Sequence, residues 1–324
     1  MLKDYLRLHF IVFLWGFTAI LGKLISLPPV ELVFFRTLIA SVGLAVLLNL
    51  RQQPMRIPGR QALRLLGVGV LVAVHWITFF LAARLSSVSV CLAGMATLAL
   101  WTSVLEPVLL RKKFQFYEMG LGLLTLVGLY IVAQAVYGSA TGSAAGANEH
   151  SQLLGLAVAV LSAGLGALFS VLNVKLIQEH PPLRLTFYEM AGACLVIVVY
   201  LVARPAFGGP LPQLDPKPLD WVWLLVLAGV CTVYAFSASV ELMKRLSAFA
   251  LNLTINLEPV YGIALAVLMF WLGVKGFDAE RLSLGFYLGT LVILLSVLIH
   301  PLLDQWQQRR RKASADEAVE MVER

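Results

Sequence analysis

Ten stretches of the chain are apolar almost without interruption: 8–25, 30–50, 65–83, 86–110, 116–136, 153–177, 185–203, 221–242, 247–271 and 282–301. A helix needs about 20 apolar residues to cross a bilayer, and most of these stretches reach that length. They do not alternate in polarity as the strands of a membrane barrel do. The pattern predicts an all-α integral membrane protein with ten spans, joined by short polar segments.

The two halves of this pattern resemble each other. KLI at 23–25 recurs at 175–177, and Pro28-Pro29 recurs as Pro181-Pro182. Phe34-Phe35-Arg36 meets Phe187-Tyr188-Glu189 at the same offset, 153. RLS at 84–86 recurs at 245–247, offset 161, and Gly120 with Thr125-Leu126-Val127 recurs as Gly285 with Thr290-Leu291-Val292, offset 165. Matches in one order with a slowly growing offset indicate duplication with loop insertions. Five spans per half is an odd number, so the second copy enters the membrane inverted. Inverted repeats of this kind are a transporter signature, because a site between them can face either side in turn. The predicted units are 1–137, a polar outer linker at 138–152 (GSATGSAAGANEHSQ), 153–302, and a charged tail at 303–324, disordered beyond Arg309–Lys312. The motif LEPV occurs at 105–108 and 257–260, but the offset of 161 aligns Glu258 with Thr97, so Glu106 and Glu258 are not equivalent.

Charge then sets the orientation. With the N-terminus inside, 18 of the 25 Lys and Arg fall in cytoplasmic segments, five fall outside, and Lys23 and Arg36 lie within spans. This bias predicts both termini in the cytoplasm of a cytoplasmic (inner) cell membrane. The first span is read as a retained helix rather than a cleaved signal, since no small-residue cleavage site follows it. Only 13% of residues are charged and 60% are hydrophobic, against about 25% and about 45–50% in soluble domains. That excludes a soluble enzyme, and a net charge of +7 without a basic polar face does not make a nucleic-acid reader. Cys91, Cys194 and Cys231 lie inside apolar runs and show no pairing pattern. No metalloprotease, nucleophile-elbow or phosphate-loop motif occurs, and no cofactor or metal is expected.

Polar residues at membrane depth are the candidate chemistry, since each costs free energy to insert. Glu258 lies roughly 16 Å into its span by helix rise, followed by Pro259. Pro259 removes a backbone donor, so a kink and a free carbonyl are expected there; Thr254 and Tyr261 lie within one helical face of Glu258, whereas Asn252 and Asn256 face nearly the opposite way. Its carboxyl is suited to a substrate amine or a proton; the alternative is a structural ion pair. His75 is also near the midplane, with Thr78 on its face, and Tyr234, Ser237 and Glu241 repeat that spacing in the second half. For His75 the alternative is an interhelical hydrogen bond, and for Glu241 a local pair with Lys244. Arg36, about 9 Å below the outer edge, either snorkels or clamps a carboxylate. Glu189 reads as structural, and Glu106 as the partner of the basic cluster 111–113. Of the tryptophans, Trp15 and Trp76 are deep enough to line a cavity. Gly285 and Gly289 form a small-residue face for packing within the chain.

Trp15-Gly16, FFRTLIA at 34–40, HWITFF at 75–80, RLSSVSV at 84–90 and TINLEPVYG at 254–262 together resemble the EamA-type permeases of the drug/metabolite transporter superfamily. The resemblance covers both halves. It implies a basket of ten helices in two inverted five-helix repeats, with a cavity bounded by the third, fourth, eighth and ninth spans. That puts His75, Trp76, Tyr234, Ser237 and Glu258 near the pathway. It also implies export of amino acids or small metabolites. Many members end the ninth span in Gly-Glu, but this chain has Gly273-Val274-Lys275, so that glutamate's role does not transfer. The resulting expectation is a monomeric secondary carrier working by alternating access, with proton coupling as a candidate. A passive facilitator and a non-transporting scaffold or sensor are its rivals.

Overall fold

The computed structural model describes residues 2–86, 88–140, 149–273 and 284–323. Among these residues there are helices and no strand. In chain order they are α1 (Leu2–Leu24), α2 (Pro29–Leu50), α3 (Gly59–Leu85), α4 (Val88–Met95), α5 (Thr97–Leu110), α6 (Phe116–Ala140) and α7 (Glu149–Leu176). The second half adds α8 (Pro182–Ala203), α9 (Pro218–Leu225), α10 (Ala235–Leu242), α11 (Ala248–Ile255), α12 (Glu258–Trp271) and α13 (Leu284–Glu323). A short 3₁₀ turn, Arg204–Phe207, ends α8, and a π-helical stretch, Val226–Tyr234, joins α9 to α10.

The starts are set by local chemistry. Proline at the first helical position opens α2, α8 and α9, where its missing N–H leaves nothing unpaired. Both α2 and α8 run for 22 residues from a Pro-Pro pair. Ser247 caps α11 by accepting from the Ala250 N–H, and Glu106 Oε2 accepts from the Phe249 N–H at 2.8 Å. Two of the orphan donors of that first turn are thereby satisfied. The other oxygen of Glu106 takes Lys112 Nζ at 2.8 Å, the pairing expected from the basic cluster.

Among the described residues, eight helical segments are long and apolar enough to cross a membrane, and the stretches 116–136 and 247–271 are not among them. The stretch 247–271 is divided at Asn256–Leu257, and the stretch 86–110, which is among the eight, at Ala96. The tail also departs from expectation, since α13 continues through it to Glu323. Its Ala and Glu residues are strong helix formers and extend the last turn. Most of the linker, 141–148, lies outside the described residues.

Packing is closest where glycine removes the side chain. α3 lies along α7 and α8, α2 along α8, α6 along α13, and α1 along α12. A Cβ at Gly69 would lie 2.2 Å from the Glu189 carbonyl oxygen, and one at Gly192 would lie 2.3 Å from that of Leu66. These two glycines let α3 and α8 cross backbone to backbone. Gly128 does the same against the Gly289 carbonyl, so Gly289 is used within the chain. Outer faces are apolar, with Val42, Val46, Leu195, Val199 and Val202 exposed, as lipid contact requires.

Thermal unfolding in detergent tests these contacts. Gly192→Val costs roughly 1–3 kcal/mol through overpacking, or more, whereas Gly67→Ala, with nothing within 4 Å of its new Cβ, is close to neutral. Glu106→Ala strands the Phe249 N–H and costs about 1–3 kcal/mol, while Glu106→Gln, which keeps an acceptor, costs less.

Candidate functional site

A cleft opens among α1, α2, α3, α4, α5, α7, α10, α11 and α12. Five of the nine residues singled out from the sequence line it: Trp15, Arg36, His75, Trp76 and Glu258. The other four, Tyr234, Ser237, Thr254 and Tyr261, are outside its lining.

Arg36 is buried at 3% exposure rather than snorkelling. Its Nε donates to Thr232 Oγ1 at 2.8 Å, and its guanidinium carbon sits 3.6 Å from the centre of the Trp76 ring. Thr232 belongs to the π-helical stretch, where its own hydroxyl donates to the Leu227 carbonyl five residues back. The wider π turn also leaves the Cys231 carbonyl to accept from Trp15 Nε1 at 3.0 Å. This irregular stretch thus anchors both Arg36 and Trp15. π-bulges of this kind are concentrated at functional sites.

Glu258 is the first residue of α12, at the break from α11. A carboxylate is favoured there by the N-terminal end of the helix dipole. Thr18 Oγ1, which donates to the Trp15 carbonyl at 2.7 Å, lies 3.4 Å from Glu258 Oε1. Arg36 and Glu258 face the same cavity but form no ion pair within 4.0 Å. The site therefore presents a cation and an anion separately.

His75 is tied to α7. Its Nδ1 is 2.8 Å from the Ser162 carbonyl, and Ser162 Oγ donates to the His75 carbonyl at 2.8 Å. A carbonyl only accepts, so the Ser162 contact is a hydrogen bond in the tautomer that carries its proton on Nδ1. The interhelical hydrogen bond and the cavity position hold together. The His75 ring is 5.3 Å from Phe169, Phe169 is 6.0 Å from Phe236, and Phe236 is 5.8 Å from Trp76. Four rings in series form an aromatic wall. Asn252, on α11, completes a polar corner, donating to Thr102 Oγ1 at 2.8 Å and lying 3.3 Å from Ser170 Oγ.

The departures from sequence reasoning have geometric causes. The break at Asn256–Leu257 resets the helical phase, so Asn252 shares the cavity with Glu258. Thr254 instead donates back to the Ala250 carbonyl, and Tyr261 lies 3.4 Å from His9 Nδ1. In the eighth stretch the π turn rotates the residues after it. Phe236, Ser239 and Val240 face the cavity, while Tyr234 is 45% exposed against Phe10. Ser237 is buried with its hydroxyl unpartnered. Glu241 pairs with Arg7 at 2.8 Å, not with Lys244. Thr18, Phe169, Asn173 and Phe236 were not singled out from the sequence. For Thr18 and Asn173 the available signal was a polar residue inside an apolar run; for the two phenylalanines there was none.

The shape recurs in known structures. One crystal structure, titled only as that of a protein, matches with a TM-score of 0.70 and 17% identity, covering 94% of this chain and 98% of its own. That likeness concerns the fold alone. No curated protein matches the chain. The model of the EamA-like transporter family, however, matches residues 5–134 and again 153–300, both halves of a chain whose apolar helices surround a polar cavity. The protein is accordingly a multi-pass membrane protein and belongs to the EamA-like transporter family.

Proposed function

We propose that the protein is a secondary carrier that exports small zwitterionic metabolites, amino acids foremost, from the cytoplasm by alternating access. The observation that carries this reading is the unpaired charge in the cleft. Arg36 and Glu258 are buried, opposite in sign, and not bonded to each other. A free amino acid carries the complementary pair. The guanidinium takes its carboxylate as a planar fork, and Glu258 takes its ammonium. The wall of His75, Phe169, Phe236 and Trp76 then receives an apolar or aromatic side chain. Trp15 and Thr18 position the charged groups, while Tyr234, Ser237, Thr254 and Tyr261 act from outside the lining.

The architecture in this reading is ten spans in two inverted repeats, 1–137 and 153–302, with 138–152 as an outer linker and 303–324 as a cytoplasmic tail. Three observations support it. The family matches twice. Pro-Pro pairs open two equally long helices, α2 and α8. The two divided spans resume at Thr97 and Glu258, which the repeat offset of 161 places at corresponding positions. Discontinuous helices in corresponding positions of two halves mark the binding region in secondary transporters. The bias of Lys and Arg supports both termini in the cytoplasm; a monomer in the inner membrane completes the reading.

Counterflow of labelled L-phenylalanine in proteoliposomes tests the reading. Saturable exchange is expected, and linear, uncompetable flux would instead indicate a passive pore. Glu258→Gln and Arg36→Gln should each raise the half-saturating concentration at least about tenfold, the worth of one hydrogen bond to a charged group. Arg36→Lys should not restore affinity, since an ammonium lacks the fork. Ser239→Trp, which fills the cleft, should abolish exchange. Phe236→Ala should weaken L-phenylalanine about three- to tenfold more than L-alanine, the scale of one ring contact.

A further inference from the structure

One buried carboxyl has no part in that scheme. Glu189, on α8, is 0% exposed, and neither of its oxygens has a hydrogen-bond partner. Thr186, one turn earlier on the same helix face, is equally buried with its hydroxyl unpartnered. Thr37, Thr102, Thr125 and Thr254 each donate to the carbonyl four residues back, and Thr186 does not. From α7, the amide of Asn173 approaches Glu189 without completing a hydrogen bond, and both its polar atoms are also buried and unpartnered. Nearly all buried polar atoms in native proteins are satisfied; with Asn173 as the neighbour of one Glu189 oxygen, the other oxygen and the Thr186 hydroxyl still point to a ligand.

The surroundings specify its charge. On α2, Glu31 pairs with Arg204, Arg36 is held by Thr232 and Trp76, and Arg51 is exposed. On α3, Arg60 and Arg64 are exposed, His75 is bonded to Ser162, and Arg84 donates to the Leu27 carbonyl. Glu241, after the π stretch, is paired with Arg7. On α8 itself Tyr188 donates to the Met55 carbonyl, and Arg184 and Cys194 make no ion pair with Glu189; on α7, Lys175 is exposed. No cation lies within 4.0 Å of Glu189 among the described residues. A bare carboxylate in that setting is very costly. One positive charge balances it, and the hard oxygens of Glu189, Thr186 and Asn173 suit a proton or Na⁺.

We propose that Glu189, Thr186 and Asn173 form the binding site for the coupling cation, a single H⁺ or Na⁺. This rests on the carrier reading above and adds what drives it. The site shares two elements with the solute cleft. Asn173 lines that cleft. The backbone of Glu189 is pressed against α3 at Gly69, and α3 carries His75 and Trp76 to the cleft one to two turns later. When the cation leaves for water, the carboxylate draws the Asn173 N–H₂ toward itself and turns the amide away from the solute. If the cation is a proton, the Glu189 O–H bond breaks and water takes the proton. Solute and cation occupancy are linked through one side chain.

Two arms test this on the full chain in lipid. The first is infrared difference spectroscopy across an alkaline pH step, with and without NaCl. A protonated-carboxyl band present in the wild type and missing in Glu189→Gln supports the site. Indifference of that band to NaCl identifies a proton, and its loss on adding NaCl identifies Na⁺. Wild-type and Glu189→Gln spectra that match under both conditions overturn the proposal. The second arm is L-phenylalanine flux. Glu189→Gln should keep counterflow within about twofold and lose accumulation driven by a pH or Na⁺ gradient, and Glu189→Asp should regain part of it. Gradient-driven accumulation that persists in Glu189→Gln overturns the proposal. If the wild type shows no L-phenylalanine counterflow, the carrier reading fails, and the infrared arm alone decides the cation site.

Discussion

A bilayer offers no water to a peptide group, so each backbone N–H and C=O at membrane depth needs a partner inside the protein. Regular helices meet this demand over most of the chain. The exceptions are the breaks at Ala96 and Asn256–Leu257 and the π turn at Val226–Tyr234. The two breaks border the central cleft and close on their own backbone, while the π turn holds two of the residues that line it, Arg36 and Trp15. Trp15 takes a π-turn carbonyl, and Thr232 turns its hydroxyl both to its own backbone and to Arg36. The polar cleft and the irregular backbone around it are therefore one feature.

Charge is distributed by the same logic. Near the helix ends, where polar headgroups and water are close, charges are paired: Arg204 with Glu31, Arg7 with Glu241, Arg245 with Asp4, Lys112 with Glu106. At exposed positions such pairs contribute little stability, and their value is in orientation. In the middle, Arg36 and Glu258 are held by neutral groups and leave charge to spare. The LEPV motif shows the contrast within one chain. Its first glutamate braces a helix start against a lysine, and its second lines the cleft.

Much of this was legible in the sequence, and the remainder escaped it for a common reason. The stretches read as beginning at 30, 185 and 221 start within three residues of Pro29, Pro182 and Pro218, where α2, α8 and α9 begin, and Glu258, His75 and Arg36, polar residues in apolar runs, all line the cleft. Family membership was carried by short motifs in both halves. Which face of a span meets the cleft was read by assuming 3.6 residues per turn throughout. Trp76 was reached through its depth in the span, whereas the assumption put Thr78, which is outside the lining, on the face of His75 and could not place Asn252 across a helix break or Phe236 after a π turn. The setting of Glu189, buried without a counter-charge within 4.0 Å, depends on neighbours distant in the chain.

The bonds between α1 and the stretch 218–242 have a mechanical consequence. They occur at three levels: Ser26 to Asp220 at one end, Trp15 to the Cys231 carbonyl in the middle, and Arg7 to Glu241 at the other end. A segment of the first half, 7–26, is thus bonded at three levels to a segment of the second, 220–241. Prying this seam apart would break all three rivets together. Residues 7–26 and 220–241 are therefore held as one body, whatever the remaining helices do.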